Sequence, residues 1–307
     1  MIRLLQEKDI PQAQRVVRVA FGTLLRVPDP ENFAADMDYV RTRWLADASA
    51  AFVADVDGQI VGSNLATRWG SVGFFGPLTV HPDYWNKGIA QQLMQPVMEC
   101  FDRWRVTLAG LYTFAESPKH ISLYQKYGFY PRFLTAIMSK PVSSKRSEGS
   151  GSRRFTDIST SDHDSIIQEC NRLTDSVYPG LSVEREIRAV HAQGLGDTIL
   201  FWEEGKFVGF AVCHCGPGTE AGNGKCYVKF GVADSEPHFE QLLTLCDELA
   251  ESRGLAQLEA GVNLSRHEAY RHMLEYGYRV ERTGVAMHRP QEPGYSRPGV
   301  LVIDDWR

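Results

Sequence analysis

The chain has 307 residues, a formal net charge of -5, and apolar and charged shares of 43% and 23%. That leaves room for two globular domains of ordinary size, and the acidic balance argues against the basic face that nucleic-acid binders carry. No apolar run approaches the ~20 residues of a membrane span. Charge enters "MIRLLQEKDIPQAQ" too early for a signal-peptide core, and six scattered cysteines read as the reduced thiols of a cytoplasmic protein.

Residues 9–21 carry apolar side chains at helical spacing, with Val16, Val17, Ala20 and Phe21 on the inner face. "AFVADV" (51–56) and "QIVGSNLA" (59–66) predict two strands joined by a hairpin turn at Asp57-Gly58. "VGFFGPLTV" (72–80) predicts another strand, but a central strand tolerates proline only at a bulge. The expectation is a bulge at Gly76-Pro77 that spreads this strand from its neighbour and opens a slot. An amphipathic helix follows over 88–104, where Pro96 should remove one main-chain bond and bend the axis. "VTLAGLYTF" (106–114) reads as a buried strand, 118–127 as a short helix, and "RFLTAIMSK" (132–140) as a last strand.

The same order is then written again. "DGQIVG" (57–62) is echoed by "EGKFVG" (204–209), and "LYQKYGFYPR" (123–132) by "HMLEYGYRVE" (272–281), at a nearly constant offset. A tandem duplication accounts for this. It predicts one domain over 1–142, a Gly/Ser-rich linker over 143–154, a second domain over 155–290 and a tail over 291–307. Alternating strands and helices with an early hairpin argue for a mixed α/β sheet.

The segment "TVHPDYWNKGIAQQLM" (79–94) delivers a strand abruptly into a helix whose first turn carries Gly88 and Ala90. Unpaired amides and the positive end of the macrodipole lie there, and small side chains let an anion reach the backbone. Strand, "VHPDYWNKGIA", amphipathic helix, strand and "LYQKYGF" together resemble the GNAT superfamily of acyl-CoA-dependent N-acetyltransferases. The resemblance covers residues 1–141 and extends weakly through 153–290. It implies an α/β (α+β) fold of two tandem GNAT-like domains. Each is a mixed, mostly antiparallel sheet flanked by helices, with a splayed central strand pair in the first.

The resemblance implies transfer of acetyl from acetyl-CoA to a primary amine of a small molecule, by direct attack in a ternary complex and without a metal. A peptide or protein amine, and a non-catalytic acyl-CoA sensor, stand as alternatives. By resemblance, the main chain of Leu78, Thr79 and Val80 pairs with the pantetheine arm and polarises the thioester carbonyl. Amides of the loop Trp85, Asn86, Lys87, Gly88, Ile89 and Ala90 cradle the pyrophosphate, although Trp85 stands where the family pattern has Gln or Arg. Tyr124 matches the tyrosine that protonates the departing thiolate, and Ser117 stands where an Asn often contacts the cofactor.

His120 replaces a small residue of the pattern, as a proton shuttle or as an ordinary surface or cap histidine. "GFFGPLTV" contains no carboxylate to act as base. Glu116 is the first candidate to end a proton-carrying water chain, with Asp36 and Asp38 as alternatives.

The second copy has lost these features. Its loop, "GVADSEPHFEQLL" (231–243), sets Asp234 and Glu236 where amides should meet phosphate, and Met273 aligns with Tyr124. It is expected to pack against the first copy as a pseudo-dimer and to shape the acceptor pocket; a further homodimer is compatible with this. "CHC" (213–215) reads as strand thiols rather than zinc ligands, because alternation sends Cys213 and Cys215 to one face and His214 to the other. "PGTEAGNG" (217–224) reads as a hairpin loop, and "VLVI" (300–303) as an added strand whose tail packs or reaches into the first copy's pocket.

Overall fold

In the computed structural model, which describes residues 1–143 and 151–307, strand β1 (Ile2–Leu4) leads into helix α1 (Ile10–Leu24). Val16, Val17 and Ala20 of α1 are buried and Phe21 is partly so, as their spacing requires. Asp38 caps helix α2 (Tyr39–Ala46) by accepting the Arg41 N–H. Strands β2 (Ala51–Val56) and β3 (Gln59–Trp69) form a hairpin. Its turn residues Asp57 and Gly58 have φ of 51° and 84°, the paired positive values that match strand twist.

The interrupted strand is found in two pieces, β4 (Val72–Phe75) and β5 (Thr79–Val80), broken at Gly76-Pro77 as the proline requires. The first pairs with β3 and, in parallel, with the strand Leu108–Thr113, while the second pairs with β3 alone. Helix α3 (Ile89–Trp104) runs through Pro96 without interruption and buries Ile89, Leu93, Val97 and Phe101. It returns the chain to β6 (Leu108–Thr113), whose ladder with β4 ends at the pair Phe74–Gly110. Past that pair the two strands part, which is the expected slot. Helix α4 (Pro118–Gln125) and strand β7 (Tyr130–Pro141) complete the first copy.

The second copy repeats the pattern: β8 (Gly151–Arg154), α5 (His163–Val177), α6 (Glu184–Gln193), β9 (Gly196–Glu203), β10 (Lys206–Cys215) and β11 (Lys225–Ala233). It continues with α7 (Glu236–Ser252), β12 (Gln257–Asn263), α8 (His267–Glu275) and β13 (Arg279–Arg289), then the tail strand β14 (Val302–Ile303). Of the expected linker, residues 144–150 lie outside the described residues. Gly151–Arg154, also read as linker, pairs with β9, since main-chain pairing needs no apolar period.

The copies do not close their sheets separately. β13, from the second, lies between β6 and β7 of the first, and β7 lies between β13 and β12. Each copy therefore fills the gap beside its partner's β6 or β12 with its own last strand, and one mixed, mostly antiparallel sheet crosses the whole chain. The sheet is therefore continuous across the expected bounds at 142 and 155.

The tail both packs and reaches the first copy. β14 pairs with β11. Beyond it, a Cβ built on Gly110 would lie 2.1 Å from the Trp306 ring, and one on Gly261 2.1 Å from the Asp305 carboxylate. Two side-chain-free positions on β6 and β12 thus form the seats of the tail.

Candidate active site

The slot exposes backbone. His81 donates to the Val61 carbonyl at 2.8 Å, and Thr79 stands opposite Ser63. The alternate residues Leu78 and Val80 therefore turn N–H and C=O away from β3 and toward the gap left by β6. Beneath them the Ser63 and Thr79 hydroxyls bond each other at 3.0 Å. Trp85 folds back on this strand, its indole N–H donating to the Val80 carbonyl at 2.7 Å.

The loop before α3 has the geometry of an anion cradle. Asn86 and Gly88 have φ of 65° and 76°, and Gly88 occupies the cap position, where a side chain would be strained. Among the described residues, no main-chain carbonyl takes the N–H of Asn86, Lys87, Gly88, Ile89, Ala90 or Gln91. Lys119 bonds the Asn86 side chain at 2.9 Å and so adds a positive charge beside them.

Tyr124, on α4, is buried against Phe75, their ring centroids 5.7 Å apart. Burial pushes its phenol well above the ordinary value, with the Thr113 hydroxyl working weakly against that shift. His120 lies one turn earlier on the same helix face. Burial, then the Lys119 charge, hold its imidazole below its ordinary pKa, so it is neutral at pH 7. Ser117 begins the helix and also lines the cavity.

Three carboxylates named from sequence are not brought to this point. Glu116 is exposed on the turn after β6 and is not part of the cavity wall. Asp38 is committed to its helix cap, and Asp36 accepts the Asn223 N–H from the loop over 217–224. That loop is the hairpin connection the sequence suggests, and it fastens the second copy to the first.

A cavity of about 920 Å³ joins these parts. It runs from Trp85–Ala90 along Phe75–Val80 past Tyr124, and its far wall changes character. The first copy contributes apolar groups there, such as Val17, Phe21, Leu24 and Met37, whereas the second contributes Lys225, Glu259, Glu281, Arg282 and Arg307. Glu259 holds Arg307 at 2.6 Å and Lys225 at 3.0 Å. Despite its burial, those two cations keep the Glu259 carboxyl below its usual range.

The sequence profile of the acetyltransferase (GNAT) family matches residues 19–129, the span that holds the slot, the cradle and Tyr124. The first copy is a GNAT acetyltransferase domain. The fold of the whole chain is that of tandem GNAT proteins. A GCN5-related N-acetyltransferase from Sphaerobacter thermophilus matches at TM-score 0.63 and 19% identity, covering 94% of this chain and 94% of that one. A candidate acetyltransferase from Pyrococcus horikoshii matches at TM-score 0.68 and 17% identity, over 94% and 88% of the two chains. A tandem GNAT protein of the clavulanic acid biosynthesis pathway matches at TM-score 0.56 and 12% identity, over 94% and 97%. No curated protein matches the sequence. GNAT domains use acyl-CoA, and the free amides, small residues and open strand edge here fit such a group.

In the second GNAT-like copy the equivalent loop is filled by its own side chains. Asp234 pairs with Lys206 at 2.6 Å and with His238, and Glu236 with His272 at 2.5 Å and Arg271 at 2.9 Å. Met273, the counterpart of Tyr124, is fully buried in an apolar core. Cys213 and Cys226 lie in that core too, while His214 faces Glu186 at 3.5 Å on the opposite side of β10. Among the described residues, no group of His, Cys, Asp and Glu side chains is arranged to hold a metal ion, and no helix is long and apolar enough to cross a membrane.

Sequence reasoning missed a buried ion cluster between the copies. Arg43, Glu220, Lys229 and Glu186 are each at most 7% exposed. Its signal was Lys229 in the otherwise apolar strand segment "CYVKFGV" (226–232), since a lysine there needs a buried partner.

Proposed function

We propose that the chain is an N-acetyltransferase that moves acetyl from acetyl-CoA to the primary amine of a small molecule, by direct attack with both substrates bound. It works in the cytoplasm, where its six unpaired thiols stay reduced. The observation that carries this reading is the continuity of one cavity from free helix-start amides, along an open strand edge and past a buried phenol, to a wall of mixed charge. Acetyl-CoA supplies the activated acyl group as a thioester.

The amides of Asn86 to Ala90 hold the pyrophosphate on the positive end of α3. The outward N–H groups of Leu78 and Val80 are fixed donors for the pantetheine arm and for the thioester oxygen as it gains charge. Ser117 and the Lys119–Asn86 pair stand at the same mouth. Tyr124, neutral at any working pH, donates its phenolic proton to the sulfur as the C–S bond breaks and regains a proton from the nitrogen that has formed the new C–N bond. His120, held neutral, receives the proton that the ammonium must shed, through water in the cavity. The charged wall built by the second copy places the amine, and most of the rate gain comes from that alignment.

The test uses isothermal titration with acetyl-CoA and a CoA-release assay over a panel of amines. Tyr124→Phe is expected to bind acetyl-CoA like the wild type and to lose ~100-fold in kcat. Equal turnover removes Tyr124 as the acid. Gly88→Glu is expected to abolish binding. Binding without turnover of any amine would favour a sensor, and turnover only of peptides would move the acceptor to that class.

A further inference from the structure

The Gly76 carbonyl, at the break in the central strand, has lost the β6 ladder, and Arg43 takes it. The Arg43 Nη1 donates to that oxygen at 2.6 Å, and both groups are buried. The rest of the guanidinium is held by the second copy. Nε and Nη2 donate to the two oxygens of Glu220 at 2.9 Å each, and Nη2 also donates to the main-chain oxygen of Arg307. Glu220 is fixed in turn by Lys229 at 2.8 Å, and Lys229 by Glu186 at 2.9 Å. Glu220 and Glu186 stay ionised against the cost of burial because these cations face them.

We propose that Arg43 is a positioning residue for the transfer: anchored by Glu220 of the second copy, it holds the bulge that aims Leu78 and Val80 into the slot, and it fixes Arg307 on the acceptor wall. This rests on the function proposed above, and it gives the copy that lost its own cofactor loop a part in the first copy's chemistry. Three features carry it. Each nitrogen of the fork donates, Nε and Nη2 to Glu220 and Nη1 to Gly76. A lysine, a point charge with no planar fork, cannot serve all three acceptors. Gly76, with φ of 150°, is held on one side by its N–H on the Leu65 carbonyl at 2.9 Å and on the other by Arg43 on its carbonyl, so the guanidinium supplies the second of the two holds on the bulge.

The full chain is tested as Arg43→Lys and, as a milder change, as Glu220→Asp. The second retains every charge and draws the anchor back by one methylene, so it covers the case in which the first fails to fold. Melting temperature, acetyl-CoA affinity, kcat on an amine the wild type turns over, and amide exchange of the segment 72–80 are measured for each. The expected result is a folded protein whose kcat falls about 10-fold or more, as small misplacements of reacting groups do. Exchange should rise in 72–80 but not in α7 or β12. The conservative Glu220→Asp should fall between Arg43→Lys and wild type. Wild-type kcat and wild-type exchange in either folded variant overturn the proposal. So does a uniform rise in exchange, which marks a merely structural role. If the wild type itself acetylates nothing, the proposed function fails instead, and the two failures are thereby told apart.

Discussion

The indole N–H of Trp85 donates to the carbonyl of Val80 at 2.7 Å, closing the loop before α3 onto the strand it follows. The one residue that departs from the family's loop pattern thus points inward, to main chain, and spares the loop amides. Trp85→Phe keeps the ring and deletes the donor. It is expected to weaken acetyl-CoA binding several-fold, in line with ~1 kcal/mol for a neutral hydrogen bond, with kcat little changed. Titration calorimetry reads the first and CoA release the second.

The seat of the tail gives a second expectation. Gly110→Ala sets a methyl 2.1 Å from the Trp306 ring, closer than atoms can stand, and the ring is walled by Tyr295 and His288. Overpacking of this kind costs about 1–3 kcal/mol. Denaturant unfolding should show that loss for Gly110→Ala and its partial recovery in the double variant Gly110→Ala/Trp306→Leu, since the two sites share one contact.

His288 gives a pH dependence. Burial, only partly offset by its bond to the Glu292 carbonyl, lowers its pKa to about 4. The unfolded chain takes up this proton near pH ~6.5 and the folded one does not, so stability present above that value is lost as pH falls toward 4. The full span corresponds to about 3 kcal/mol. His288→Gln should flatten the curve of unfolding free energy between pH 4 and 6.5. His238 runs the opposite way: burial lowers its pKa, but Asp234 and Glu203 prevail and raise it. The difference between variant and wild type, rather than either curve alone, isolates His288.

A fourth expectation concerns the second copy. With Asp234 and Glu236 in its loop and Met273 in the place of Tyr124, it should bind no acyl-CoA. Calorimetry should find one acetyl-CoA per chain, and Gly88→Glu should reduce that to none. A stoichiometry of two would reassign the second loop.

The sequence made local chemistry readable. The hairpin at Asp57-Gly58, the break at Gly76-Pro77 and the start of α3 at Gly88 each follow from the backbone preferences of one or two residues. Tyr124 and His120 were named through the resemblance of "SPKHISLYQKYGF" to the family pattern, and their spacing of one helical turn sets both on the cavity wall. What stayed hidden depends on partners far along the chain. Arg43 and Glu220 are 177 residues apart and neither carries a local mark of burial. Glu116 looked suitable by its position after β6, but nothing in the residues around it reports that the turn faces solvent. The pairing of β13 with β6 was equally invisible, because periodicity says which face of a strand is apolar and not which strand lies beside it.

The traded strands impose an order of events on synthesis. When Leu108–Thr113 first leaves the ribosome, its natural neighbour, Arg279–Arg289, has not been made. The nascent first half must carry an open edge until well over a hundred further residues emerge. A chaperone, or a second nascent chain of the same kind, has that interval in which to occupy the vacancy, and the joined halves can mature only together.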